Sequence, residues 1–243
     1  MSDTLQLVVP CYNEAGRLDA ERFLQAVRSF DNLRILFVDD GSTDRTPEIL
    51  ADIRARGDGR IAVLRLGRNA GKAAAVRAGF LAAFESHPDY VGFWDADLST
   101  PLEALPEFME TFRTRPDVDI VIGARVKMLG REIKRSAIRH YTGRIFATAA
   151  SFALGIGVYD TQCGAKIFRT TDAVRQAFSR PFRSPWIFDV EILSRYLDAC
   201  GTAGAESRIC ELPLGSWKDV AGSKLKLRHA ARAVWDLTRI WRR

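Results

Sequence analysis

Tyr90-Val91-Gly92-Phe93-Trp94-Asp95-Ala96-Asp97 decides the fold, because five uncharged residues run directly into two carboxylates. A short apolar run that ends abruptly in acids reads as a buried strand whose carboxyl end emerges at a sheet edge, where open α/β sheets bind ligands. Two carboxylates this close repel each other unless a cation joins them. A hard divalent ion does so readily, since Mg²⁺ takes one or two carboxylates and completes its shell with phosphate oxygens and water. A solvated Asp-rich loop is the plainer alternative, and the neighbouring strand ends must separate the two.

Outward from this stretch, strand and helix signals alternate. Leu5 to Val9, Arg34 to Val38, Ile61 to Leu66 and Asp119 to Ala124 are further apolar runs. Between them, Arg17 to Phe30, the segment from Pro47, Ala73 to Phe84, and Thr100 to Thr114 read as helices. Thr46 before Pro47 predicts an N-cap, and Thr100-Pro101-Leu102-Glu103 predicts a capping box. Strands that are apolar throughout and separated by single helices predict a mostly parallel sheet with helices on both faces. Farther on, Arg135 to Leu154 predicts a helix, Thr161 to Arg169 one or two short strands, Phe188 to Cys200 an amphipathic helix closed by Gly201, and Ser207 to Leu214 a strand.

The chain has 243 residues and a hydrophobic fraction of 47%, which suits one large domain with a sizeable core. We expect a domain over residues 1–223 followed by a helix over 224–243. No apolar run reaches the length of a bilayer span. Met1-Ser2-Asp3-Thr4-Leu5 lacks the basic and apolar regions of a signal peptide. Cys11, Cys163, Cys200 and Cys210 show no C-x-x-C spacing, which argues against a zinc site and for reduced thiols in a cytoplasmic protein. The formal net charge is +6, and residues 224–243 alone carry that excess, with seven Lys/Arg against Asp236. A second basic concentration, Arg125, Lys127, Arg131, Lys134, Arg135 and Arg139, is opposed by Glu132. Localised positive charge points to an acidic partner such as phosphate or lipid headgroups; nothing in the motifs suggests nucleic acid.

Three strand ends share one edge in a parallel sheet. Pro10, Tyr12, Asn13 and Glu14 follow the first strand, Asp39, Asp40 and Gly41 the second, and Asp95 and Asp97 the fourth. Tyr12 can stack on a base, and Asp39 or Asp40 can accept from a base N–H or ribose hydroxyls. Gly71 and Lys72 bring a cation to the same place. The G-x-G-x-x-G of a dinucleotide site is missing after the first strand, where Cys11-Tyr12-Asn13-Glu14 stands instead.

These motifs, Pro10-Cys-Tyr-Asn-Glu14, Val38-Asp-Asp-Gly-Ser-Thr-Asp44, Arg68-Asn-Ala-Gly-Lys72 and Asp95-Ala-Asp97, together resemble those of a family 2 glycosyltransferase of the GT-A fold. Ile122-Gly-Ala-Arg125, Asp160-Thr-Gln-Cys-Gly164, Lys166, Trp186-Ile-Phe-Asp189-Val-Glu191 and Trp217-Lys218 extend the resemblance to polyprenyl-phosphate (dolichyl-phosphate) hexosyltransferases, the β-glucosyl type above all. It covers about residues 5 to 225. It implies that Pro10, Tyr12, Glu14 and Asp39 contact a nucleoside and that Asp95 and Asp97 hold the diphosphate through Mg²⁺ or Mn²⁺. Ser99 stands at a further metal-side position, where mannosyl enzymes commonly carry Gln.

Chemistry adds the acceptor. A phosphate monoester has a second pKa near ~6, so it attacks without a general base and needs cations to position it. Arg125, Arg135 and Arg139 suit that task because guanidinium binds phosphate bidentately. Asp189 is the remaining acid suited to act as a base or to hold the donor sugar, with a helix-start carboxylate as its alternative. Leu227, Ala231, Val234, Thr238 and Trp241 fall on one stripe of the tail, which predicts a basic amphipathic helix lying on the inner face of a membrane. The reading is an inverting, metal-dependent transfer of a hexose, glucose from UDP-glucose, onto a polyprenyl phosphate. Its rivals are GDP-mannose or another donor, a soluble acceptor, or a non-catalytic nucleotide-sugar-binding or membrane-docking protein.

Overall fold

The computed structural model of the chain describes residues 3–134 and 137–218. Residues 224–243, expected to form the basic helix, lie outside these, as do Arg135 and the side chain of Arg139. In chain order the elements are β1 (Leu5–Cys11), α1 (Ala20–Ser29), β2 (Leu33–Asp39), α2 (Thr46–Arg56), β3 (Ile61–Arg65), α3 (Lys72–Phe84), β4 (Tyr90–Trp94), α4 (Leu105–Thr114), β5 (Ile120–Ala124), β6 (Glu132–Lys134), α5 (Ala137–Leu154), β7 (Ala165–Arg169), α6 (Asp172–Phe178), α7 (Phe188–Cys200), α8 (Thr202–Ala205), β8 (Ile209–Pro213) and β9 (Ser216–Lys218).

Seven strands form one sheet in the order β3-β2-β1-β4-β7-β5-β8. All neighbours are parallel except β7, which runs antiparallel between β4 and β5 and pairs Trp94 with Ala165. The chain reverses its build direction between β1 and β4, so the crevice of the sheet lies beyond Cys11 and Trp94. Because β7 is antiparallel, the residues that precede it reach this same edge. The beginning of β7, not its end, therefore meets the carboxyl end of β4.

Side chains alternate between two buried layers, as the period of a strand requires. Val8, Val38, Phe93 and Phe168 face α3, α6 and α7. Leu7, Val9, Phe37 and Trp94 face α1 and α4. Helix α3 comes unusually near the sheet at Gly79, where a Cβ would stand 2.3 Å from Val8 Cγ1.

Two expected caps are replaced by other contacts. Arg45, not Thr46, stands at the N-cap position of α2 and its side chain makes no capping hydrogen bond; Thr46 lies inside the helix, fully buried, and its hydroxyl accepts from Glu14 N–H at 2.8 Å. A single turn of 3₁₀ helix (Leu102–Ala104) precedes α4, and no side chain caps either. Thr100 instead gives its carbonyl to the Trp94 indole N–H at 2.7 Å. In both places the residue that would cap a free helix holds the crevice loops. Strands β6 and β9, too short to be read as strands, pair in parallel as a small second sheet. Among the described residues no helix is long and apolar enough to cross a membrane.

Candidate active site

The loops after β1 and β2 are laced to each other. Asn13 takes a left-handed conformation at φ 54°; its N–H donates to Ser42 Oγ at 3.0 Å and its Oδ1 accepts from Thr43 N–H at 2.9 Å. Asp40 accepts from the N–H groups of Ala70 at 2.8 Å and Gly71 at 2.7 Å. Asp40, expected with Asp39 as a base contact, is thus committed to tying β2 to the loop before α3. Asp39 is different. One oxygen accepts from Ser42 N–H at 2.9 Å, while the buried Oδ2 has no hydrogen-bond partner among the described residues. The exposed Arg65 stands 3.4 Å from it. A buried carboxylate oxygen left unpaired costs about 1–3 kcal/mol or more, which a ligand N–H would recover.

Glu14 repeats the pattern. Its Oε1 accepts from Arg17 at 2.6 Å, and its Oε2 is buried without a partner. Burial lifts its pKa above the ordinary value; Arg17 opposes the rise, and the charges of Asp97 and Asp95 add to it. Cys11, whose pKa is raised first by burial, feels both Glu14 and Asp39. Glu14, after β1, therefore lies within reach of the charges that follow β4, and Cys11 within reach of those of Glu14 and Asp39.

Asp95 and Asp97 sit half-buried on a tight turn that passes through Leu98, whose φ is 51°. Asp97 Oδ1 accepts from Ser99 N–H at 3.0 Å. Ser99 is 9% exposed, and its carbonyl accepts from Lys218 N–H at 3.0 Å, which fastens β9 to the acidic turn. Asp95 N–H donates to Gly164 O at 2.9 Å, and its carboxylate occupies the space where residue 164 would otherwise carry a side chain. Lys72, at the start of α3, reaches Asp95 Oδ1 at 2.5 Å. Burial works against its charge, yet Asp95 and then Asp189 hold its pKa above the ordinary value.

Two residues with expected roles are found in ion pairs. Arg125 was assigned to the acceptor phosphate, but its fork closes on Asp160, Nε to Oδ2 at 2.6 Å and Nη2 to Oδ1 at 2.7 Å, with the Trp217 ring 5.2 Å away. Asp160 in turn is set by Glu211, which accepts from the N–H groups of Tyr159 and Asp160, each at 2.7 Å. Arg125 thus stands with its guanidinium fork held by Asp160. Asp189, considered as a base, is 5% exposed and accepts from Lys166 at 2.6 Å. Lys166 is 1% exposed and also donates to Cys163 O at 2.5 Å, with the Phe93 ring 4.9 Å away.

Lys166 and Gly164 are parts whose work the sequence left unassigned. The signal for Lys166 was an ammonium inside the apolar run Ala165 to Phe168, with an acid at the start of a following helix. The four cysteines are free, and burial pushes the Cys163 thiol up to about 11, so it stays protonated and inert. Among the described residues no three His, Cys, Asp or Glu side chains are gathered to hold a metal by themselves.

This arrangement has relatives. The Glycosyl transferase family 2 profile matches residues 6–174. The chain is similar to the dolichyl-phosphate beta-glucosyltransferase of Saccharomyces cerevisiae, 33% identical over 246 residues, with 92% of this chain and 69% of the relative covered. A Trichomonas vaginalis protein of the same name is 30% identical over 249 residues, covering 96% of this chain and 69% of its own length. The fold resembles the Mycobacterium tuberculosis glucosyl-3-phosphoglycerate synthase, crystallised with Mn²⁺, uridine diphosphate and glucosyl-3-phosphoglycerate, at a TM-score of 0.69 and 18% identity over 98% of this chain and 78% of that one. The crevice acids at the carboxyl edge of a GT-A-like sheet, the extent of the profile match and the likeness to these transferases agree, and the chain belongs to glycosyl transferase family 2.

Proposed function

We propose that the chain transfers glucose from UDP-glucose to a polyprenyl phosphate at a membrane face, with inversion at the anomeric carbon. The observation that carries the donor half is the buried Asp39 Oδ2 at the sheet edge, which has no hydrogen-bond partner among the described residues and only the exposed Arg65 at 3.4 Å, an acceptor suited to an imide N–H such as that of uracil. Tyr12, next in the chain after β1, is the proposed stacking partner, and Glu14 Oε2 offers a second acceptor for ribose or base. The names of the relatives support glucose and a lipid phosphate.

The donor set fits a divalent ion. Asp97, and Asp95 once Lys72 gives way, supply two carboxylates, and the small number of protein ligands leaves room for phosphate oxygens. Ser99 adds its N–H to the orientation of Asp97. Bound there, Mg²⁺ or Mn²⁺ would act as a Lewis acid that neutralises the departing diphosphate. Lys72 brings a second positive charge to the same oxygens.

The phosphate oxygen of the acceptor forms the new bond to the anomeric carbon as the bond from that carbon to the diphosphate oxygen breaks. The electron pair leaves with UDP, and no proton has to be removed from the nucleophile. This suits a site in which Asp189 is held by Lys166. Arg135 and Arg139 remain the proposed grip on the acceptor, and the basic helix over 224–243 the proposed membrane contact.

The test is a transfer assay with Mg²⁺, a short polyprenyl phosphate and a set of UDP- and GDP-sugars, with the lipid product identified by mass. Glucosyl-phosphoprenol formed only from UDP-glucose supports the reading. Mannosyl product from GDP-mannose, or no lipid product with any donor, overturns it.

A further inference from the structure

Helix α5 turns three large apolar side chains to solvent: Tyr141 is 68% exposed, Ile145 73% and Phe152 78%. Their spacing puts them on one stripe. Thr148 stands between Ile145 and Phe152 with its hydroxyl turned back to the Arg144 carbonyl at 3.0 Å. The other side of the helix, at Ala150 and Leu154, is core. Surface stripes of this kind mark interaction sites when they are contiguous and rimmed by charge.

The segment leading into the helix, with the helix itself, is of one sign. From Lys127 to Phe152 the chain carries six Lys/Arg and one carboxylate, Glu132, and α5 itself contains no acid. Lys127, Arg131 and Lys134 are exposed, together with Met128 and Leu129. The helix is also linked to the rim of the crevice. Arg144 donates to Tyr159 O at 3.0 Å and stacks 3.8 Å from the Tyr159 ring, next to the Asp160 that grips Arg125.

We infer that α5 lies along an anionic bilayer surface, with Tyr141, Ile145 and Phe152 entering the boundary between headgroups and acyl chains while the cations of the adjoining segment meet lipid phosphates. Charge selects this occupant. A second copy would bring an equally basic face against this one, and residues 224–243 of the same chain carry +6. Only a negative surface complements an apolar stripe with these adjoining cations. The inference rests on the reading that the acceptor is a lipid phosphate, and it adds the element that presents the crevice to it.

The full chain is sedimented with vesicles of phosphatidylcholine alone and of an equal mixture with phosphatidylglycerol, beside the I145E/F152E and I145S/F152S variants. The parent binds the anionic vesicles and not the neutral ones. Both variants lose about tenfold or more in partitioning, with unchanged Tm and unchanged transfer to a short, water-soluble prenyl phosphate. Partitioning equal to the parent's overturns the inference. So does a parent dimer that the variants abolish without effect on vesicles. A fall in Tm with vesicle binding intact gives the stripe to residues 219–243 and overturns it equally. Stripe-dependent binding by a chain that glucosylates no prenyl phosphate sinks the acceptor reading and leaves this surface standing.

Discussion

Asp95 occupies a hollow that exists only because residue 164 has no side chain: a Cβ there would lie 1.8 Å from Asp95 Oδ2. Gly164→Ala therefore pushes the carboxylate aside while leaving the crevice acids chemically intact. Displacements of about an ångström near reacting groups cost on the order of a hundredfold in rate. We expect kcat to fall by about that factor with the circular dichroism spectrum unchanged, and a variant with parental kcat would show that Asp95 need not hold its place. At this scale the sequence was legible where a residue's task follows from its neighbours in the chain. Asp95 and Asp97 announce themselves by ending an apolar run. Asp39 and Asp40 look alike in sequence, and only the N–H groups of Ala70 and Gly71, thirty residues away, assign Asp40 to the scaffold. The Asp160 partner of Arg125 was hidden for the same reason, since it is remote in sequence and charge alone does not reveal a closed pair.

Helix α3 owes its closeness to β1 to Gly79. Gly79→Ala puts a methyl group 2.3 Å from Val8 Cγ1, and overpacking of this kind costs about 1–3 kcal/mol. The loss should appear as a lowered Tm, and adding Val8→Ala should restore part of it in a double-mutant cycle. Strand β8 carries a second testable element. Glu211 accepts two backbone N–H groups from the segment before β7; burial raises its pKa above the ordinary 4.5, those N–H groups oppose the rise, and Asp160 adds to it. The folded state thus holds this proton more tightly than the unfolded chain, so its contribution is full below pH 4.5 and is lost as pH rises through the elevated value. Glu211→Gln cannot titrate. Its Tm relative to the parent should therefore shift in its favour as pH rises across that window, and a pH-independent difference would contradict the assignment. Elements with strong periodicity, β1 to β5 and α1 to α4, were readable in place. The antiparallel entry of β7 was not, because a strand's direction depends on partners that its own residues do not specify. Nor were β6 and β9, each of three residues, too brief for any pattern to declare itself.

Seven strands with helices on both faces bring every acid of the donor site to one edge, so nucleotide binding should stabilise the molecule as a whole. UDP with Mn²⁺ at a hundredfold excess over Kd should add about 2.7 kcal/mol. Differential scanning fluorimetry should show this as a raised Tm, and Asp39→Ala should remove most of the rise while leaving the ligand-free Tm close to that of the parent. A full shift in the variant would place the base elsewhere. The sheet class was legible because alternating apolar runs and helices admit few arrangements. The division of labour within the crevice was not, because it depends on which polar groups the folded chain leaves unsatisfied.

The backbone bond from Lys218 to Ser99 has a practical corollary for anyone handling the protein. Residue 4 pairs with Asp89 at the amino edge of the sheet, remote from the crevice, whereas residue 218 leaves the described chain beside the acidic turn. A purification tag or surface linker fused at the amino end hangs from the back of the molecule. The same attachment spliced in after residue 218 would pull directly on the turn that orients Asp97, so immobilised assays should tether the amino end.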